Sequence, residues 1–131
     1  MRLLWYVALG SAVGGASRVA LSTFLHERAN TPFPIGTLVV NITGSLVLGF
    51  ILRYTLDSQA VSPEIRALLT AGFCGGYTTF STFSYETVRL VEGGDYRRAG
   101  LYVALSVVLA LAATFAGMVA ASELLAARRS A

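Results

Sequence analysis

The sequence is poor in charged, sulfur-containing and imidazole side chains. Charged residues make up only 13% of the 131 residues, about half of what soluble domains carry. The single cysteine, Cys74, excludes an internal disulfide bond. The one histidine, His26, lies in a short predicted loop, where a solvated role is favoured over metal or substrate binding. Without an acidic cluster, the sequence lacks the metal ligands and general base of a typical enzyme, so no enzymatic function is expected.

Hydrophobic residues, in contrast, are abundant and arranged in long runs. They make up 55% of the sequence, which predicts an integral membrane protein of the cell membrane. The first apolar run is long enough to span, which favours a membrane helix over a cleaved signal peptide. All ten basic residues are arginines, and the net charge is +3. Because these arginines are spread over every loop, nucleic-acid binding is not expected.

The apolar runs predict an all-α membrane protein with a single transmembrane domain over residues 1–131. Four membrane spans are expected, at about residues 3–24, 35–56, 64–91 and 99–126. The third span has some 28 residues, more than the roughly 20 that are needed to cross a bilayer. It is therefore predicted to consist of two half-helices with a break at residues 75–79.

The third span is also unusually polar for membrane depth. Its glycines, Gly72, Gly75 and Gly76, favour a break in the helix. Phe80 and Phe83, three residues apart, share a helix face. Five hydroxyl side chains surround them, at Thr78, Thr79, Ser81, Thr82 and Ser84. Irregular, polar backbone is tolerated in a membrane only against protein or a water-filled path, which indicates permeation.

Three polar side chains in the spans each allow two interpretations. Asn41 either forms interhelical hydrogen bonds or lines a polar path, and the polarity of the third span favours the path. Arg18 either extends to the membrane surface or lines a wet vestibule. Glu86 either pairs with Arg89 or sets the electrostatics of a pore end. Small residues such as Gly10 and Gly14 predict closely packed helices.

The arginines give no preference for either membrane orientation. Four spans place both termini on one side, and five arginines then lie near each membrane surface. Because basic residues normally direct a loop to the cytoplasm, an even distribution predicts insertion both ways. An antiparallel homodimer would follow from such dual topology.

Three motifs resemble the signature sequences of the Fluc (CrcB-type) fluoride channels. These are Gly14-Gly15-Ala16-Ser17-Arg18, Gly36-Thr37-Leu38-Val39-Val40-Asn41 and Gly75-Gly76-Tyr77-Thr78-Thr79-Phe80-Ser81-Thr82-Phe83-Ser84. The similarity extends over all four predicted spans, in order and at matching spacing.

This resemblance implies a dual-topology homodimer with two passive pores that export fluoride across the bacterial inner membrane. It also implies a structural sodium ion at the dimer axis, held by the backbone carbonyls of Gly75 and Thr78. Arg18 matches a vestibule arginine and Glu86 a third-span carboxylate. The pore-lining positions implied by the resemblance are Asn41, Phe80, Ser81, Thr82, Phe83, Ser84 and Tyr102. One departure is Ala110, where the family pattern has a serine.

The residues alone leave other functions open. Phenylalanine edges favour an anion and ring faces favour a cation, so the sign of the permeant ion rests on the resemblance. A dual-topology, proton-coupled exporter of small cations or drugs would need a membrane carboxylate, and Glu86 is the one acid well inside a predicted span. A membrane assembly subunit without transport would need packed helices but no helix break.

Overall fold

The computed structural model describes residues 1–58 and 60–131, and within these residues all secondary structure is helical. Residue 59, between the second and third predicted spans, therefore lies outside the described residues. The helices are α1 (Arg2–Ala29), α2 (Ile35–Ser58), α3 (Pro63–Ala67), α4 (Gly75–Tyr77), α5 (Phe80–Glu92) and α6 (Tyr96–Ser130), and a π-helical stretch, Leu68–Cys74, joins α3 to α4.

Three of these helices, α1, α2 and α6, are long and apolar enough to cross a membrane. They extend beyond the predicted spans, and α1 in particular continues to Ala29 rather than ending near residue 24. His26 consequently lies in the last turn of α1, so its predicted loop position was wrong. Asn30, in the left-handed conformation with φ 44°, ends this helix.

Side chains cap the helices of the second half of the chain. The hydroxyl of Ser62 accepts a hydrogen bond from the Ile65 N–H (3.3 Å) at the start of α3. The carboxylate of Asp95 accepts one from the Arg98 N–H (3.2 Å) at the start of α6. Such caps pair backbone N–H groups that the first helical turn leaves free, and they fix where each helix begins.

The third predicted span is interrupted at Thr78 and Thr79, inside the expected interval 75–79. Thr78 (ψ 157°) and Thr79 (φ −151°, ψ 113°) are extended. The hydroxyl of Thr79 then caps α5 by accepting from the Thr82 N–H (3.2 Å). The glycines do not cause the break, as the sequence had suggested, because Gly75 and its neighbours remain helical (Gly75 φ −64°, ψ −37°).

The glycines instead bring helix backbones into direct contact. A Cβ atom on Gly72 would approach the backbone of Gly10 to 3.0 Å, and one on Gly76 would approach the Ser11 carbonyl oxygen to 2.6 Å. Gly49 and Gly117 serve the contact between α2 and α6 in the same way. The interior is small, while many large apolar side chains point outward, as expected for surfaces that face lipid.

Candidate functional site

The side-chain amide of Asn41 forms hydrogen bonds with the backbone at the break in the third predicted span. Its Nδ2 donates to the Thr79 carbonyl (3.1 Å), and its Oδ1 accepts from the Thr79 N–H (2.8 Å). The extended backbone of Thr79 cannot make these bonds within a helix, so α2 supplies them from one side chain. Asn41 therefore forms the interhelical bonds, and it also lines a cavity beside the break.

Arg18 contacts the other side of the same break. Its Nε donates to the carbonyl of Gly76 (3.1 Å), one turn of backbone before Thr79. This contact leaves both predicted alternatives, membrane surface and vestibule, untested. The half-buried guanidinium pairs a carbonyl that the interrupted helix leaves free. α1 and α2 thus hold the break from two directions.

A cavity of about 360 Å³, called the break cavity below, lies next to the extended residues. Within the described part of the chain, the hydroxyl of Ser106 is buried without a hydrogen-bond partner, and Ser106 lines this cavity. The cavity combines a few polar groups with an apolar wall. Its lining residues are Asn41, Ser45, Leu48, Thr78, Thr79, Phe80, Phe83, Ser106, Val107, Ala110 and Leu111.

Aromatic rings lead from the break cavity towards Glu86. The ring centroids of Phe80 and Phe83 are 5.4 Å apart, and those of Phe83 and Tyr102 are 5.1 Å apart. Phe80 is 78% exposed, whereas Tyr102 is completely buried. The rings therefore run from the surface of the chain into its interior.

Glu86 is held by two hydroxyl groups at the inner end of this row of rings. The Tyr102 hydroxyl donates to one carboxylate oxygen (2.7 Å), and the Thr37 hydroxyl donates to the other (2.8 Å). The alternative pairing with Arg89 is not formed, because Arg89 approaches Glu92 instead, at 3.8 Å on the surface.

A second cavity of about 360 Å³, called the loop-side cavity below, begins on the other side of Glu86. Thr82 and Glu86 of α5 form one wall, and the last turns of α1 form the opposite wall. Its lining residues are Ser22, Thr23, His26, Glu27, Pro34, Gly36, Thr37, Thr82 and Glu86. The two cavities are thus separated by Phe83, Tyr102 and Glu86.

The predicted hydroxyls do not all face these cavities. Ser81 and Ser84 line neither the break cavity nor the loop-side cavity, and Ser84 bonds to the Phe80 carbonyl of its own helix (2.9 Å). Thr37 and Ser106, in contrast, were missed. Their spacing offered a signal, because Thr37 lies four residues before Asn41 and Ser106 four residues after Tyr102, on the same helix faces.

Two backbone carbonyls at the break fit a hard cation. The Thr79 N–H, which would bond to the Gly75 carbonyl in a regular helix, bonds to Asn41 instead. The Thr82 N–H likewise bonds to the Thr79 hydroxyl rather than to the Thr78 carbonyl. Backbone carbonyl oxygens are ligands that hard cations prefer, but such ions take about six oxygens. One chain therefore supplies only part of such a site.

Buried polar groups, an interrupted helix and three long apolar helices define a multi-pass membrane protein with cavities near its interior. The chain matches the model of the family described as "CrcB-like protein, Camphor Resistance (CrcB)" over residues 5–118. The chain belongs to this family, and the resemblance in the sequence is confirmed.

The chain also resembles curated proteins over nearly its whole length. It is 44% identical to the "Fluoride-specific ion channel FluC" of Geotalea uraniireducens over 124 residues, 95% of this chain and 100% of the relative. Identity and coverage are the same for the protein of that name in Geobacter sulfurreducens. The Flavobacterium psychrophilum protein of that name is 40% identical with the same coverage. These relatives are named as ion channels, which are not enzymes, as the residue composition predicted.

Proposed function

We propose that the chain forms a passive, fluoride-specific channel that exports fluoride across the cell membrane. The observation that carries this proposal is the helix break closed by Asn41, which opens a cavity beside two phenylalanine rings. The names of the relatives support the choice of fluoride as the permeant ion. The full-length similarity supports applying that choice to this chain.

In this proposal, polar donors replace part of the water around the ion in the break cavity. One N–H of the Asn41 side-chain amide donates to the Thr79 carbonyl. The same amide carries a second N–H, which can donate to an anion. The unpartnered hydroxyl of Ser106 provides another donor at the same cavity. Ala110 carries no donor, so the wall near it stays apolar.

The phenylalanine rings are proposed to guide the ion from the break cavity towards Glu86. Ring edges carry partial positive charge and attract an anion, while ring faces repel it. Phe80 and Phe83 would therefore present their edges to fluoride. Thr82 lies beyond them on the loop-side cavity. Ser81 and Ser84, the remaining hydroxyls of the proposed pore, would contribute only if rotation of their side chains released them from the present contacts.

Glu86 is proposed to set the potential at the inner end of the path. Its charge opposes an anion, but hydrogen bonds from Tyr102 and Thr37 spread that charge over two hydroxyl groups. Arg18 holds the Gly76 carbonyl and adds a positive charge near the break. The negative charge of Glu86 and the positive charge of Arg18 would partly cancel along the path. An anion could then enter the path without being bound too tightly to leave it.

Efflux from liposomes tests the proposed function. Vesicles that contain the purified protein and potassium fluoride should release fluoride rapidly when a potassium ionophore is added, as read with a fluoride electrode. Vesicles loaded with chloride should release little chloride. A coupled cation exporter would instead produce flux that depends on a proton gradient. Fluoride retention equal to that of protein-free vesicles would overturn the proposal.

Replacement of Phe80 or Phe83 tests whether these rings lie on the proposed fluoride path. Phe80→Ile or Phe83→Ile removes the partially positive ring edge but keeps an apolar side chain, so fluoride efflux should fall by at least about tenfold while the protein stays assembled. Efflux and gel filtration on the same preparations separate the two effects. Undiminished efflux from both variants would remove these rings from the mechanism.

We further propose four membrane crossings, with residues 63–92 forming the interrupted third one, and an antiparallel homodimer as the working unit. The even distribution of arginines supports dual topology. The exposure of Phe80, one of the proposed path residues, supports a second copy that encloses it. Reporter domains fused to the C-terminus should then be found on both sides of the membrane, and a single orientation would contradict the proposal.

The carbonyls of Gly75 and Thr78 are proposed to hold a structural sodium ion between the two copies. Bound there, the ion would supply positive charge that offsets the carbonyl dipoles of two interrupted helices. Two carbonyls from each copy give four oxygens, which fits a hard cation better than one chain does. This role is structural, and the sodium ion itself would not be transported.

Gly75→Leu is expected to disrupt the dimer without unfolding the single chain. Gly75 is exposed, and a Cβ there would meet its nearest atom, the Thr70 carbonyl oxygen, at an ordinary 3.8 Å. Multi-angle light scattering in detergent should therefore show monomer, and omission of sodium should weaken the wild-type dimer. Cys74→Ala, at the buried neighbouring position, is the control and should remain dimeric. Equal behaviour of both variants would argue against a central ion.

A further inference from the structure

The loop-side cavity has an unbalanced set of charges. Two carboxylates, Glu27 of α1 and Glu86 of α5, line it. His26 is the one lining residue, among those described, that is able to carry positive charge. When its imidazole is neutral, this cavity is therefore negative and opposes the approach of fluoride.

His26 also lines a neighbouring cavity of about 240 Å³ together with Glu86 and Arg89. Its position is fixed by the end of α1, because its carbonyl accepts the N–H of Asn30 (3.3 Å). His26 of α1 and Glu86 of α5 thus line both of these cavities.

Two arginines near His26 keep a fixed positive charge and have side-chain contacts of their own. The guanidinium of Arg28 lies over the Phe24 ring, 4.8 Å from its centroid. Arg89 approaches Glu92 on the surface of α5. The loop residues 31–34 carry no charged side chain. Among the described residues that line this cavity, His26 is therefore the one whose side chain can be either neutral or positively charged.

We propose that the loop-side cavity is the second mouth of the conduction path and that protonation of His26 increases fluoride entry through it. This inference rests on the proposed fluoride conduction. Imidazole ordinarily gains its proton between about pH 8 and pH 5, so acidification would add one positive charge to the mouth. A unit charge acting through water over roughly 6 Å raises the local concentration of a monovalent anion about threefold.

The test compares fluoride efflux at about pH 8 and about pH 5.5, with the same pH inside and outside the vesicles. Leak from protein-free vesicles is subtracted at each pH, because hydrogen fluoride crosses bilayers unaided. The wild type should conduct about threefold faster at the lower pH. His26→Asn should be equally slow at both pH values, and His26→Arg should be equally fast at both.

Thr23→Val is the matched control, because Thr23 lines the same cavity on the same helix but cannot change its charge. It should keep the wild-type pH ratio. Equal ratios in the wild type and His26→Asn would overturn the inference, and so would a wild-type ratio in His26→Arg. If the wild type conducts at both pH values without this difference, fluoride conduction survives and only the inference fails. If nothing conducts fluoride, the proposed function fails as well.

Discussion

Asn41→Asp should reduce fluoride efflux by far more than tenfold at neutral pH. The substitution keeps the acceptor for the Thr79 N–H but replaces an amide donor with a negative charge at the break cavity. Two like charges about 4 Å apart repel with about 4 kcal/mol in a partly polar protein environment, enough for a large loss of flux. The donor to the Thr79 carbonyl is lost at the same time, at a net cost to stability of about 1–3 kcal/mol.

Asn41→Leu separates these two effects. Leucine adds no charge, but it leaves both the N–H and the carbonyl of Thr79 without a partner, so the protein should be less stable than Asn41→Asp. Thermal unfolding in detergent gives the order of stability, and efflux from liposomes gives the order of flux. If Asn41→Asp conducts at half the wild-type rate or better, Asn41 does not face the ion and serves only to close the break.

The apolar runs predicted the three long helices α1, α2 and α6, because such runs leave few alternatives. The length and the glycines of the third predicted span indicated an interruption at residues 75–79, and the chain does leave the helix there. The assigned cause was wrong. Gly72 and Gly76 keep helical geometry, and at the interruption the backbone of Thr79 pairs with Asn41, a residue 38 positions away. Composition of one segment cannot reveal such a partner.

The same reason explains why the partners of the charged residues were not predicted. The spacing of Glu86 and Arg89 allows a local pair on α5, but burial of Tyr102 brings its hydroxyl to Glu86 from α6. Arg18 similarly finds a carbonyl 58 positions later in the chain. Thr37 was predictable in principle from its helical spacing to Asn41. The partners of Glu86 and Arg18 were not, because they depend on how the helices cross.

Gly14→Ala should destabilise the protein strongly, although alanine is the better helix former. A Cβ at Gly14 would overlap the Phe73 carbonyl oxygen and lie 2.9 Å from the Tyr77 nitrogen, and backbone atoms there cannot move aside. Separation of α1 from the third segment is the expected response, at a cost of about 1–3 kcal/mol. Arg18 lies one turn further along α1, so its bond to Gly76 should be lost and fluoride efflux should fall.

Gly15→Ala is the matched control for this prediction. The neighbouring position leaves 3.9 Å between a new Cβ and its nearest atom, the Gly76 carbonyl oxygen. Removing a glycine from a helix interior ordinarily gains up to about 1 kcal/mol, so this variant should melt at or above the wild-type temperature. Thermal unfolding and efflux of both variants, in the same lipid, measure the contrast. Equal melting temperatures would mean that α1 does not support the break, and the proposed role of Arg18 would lose its structural basis.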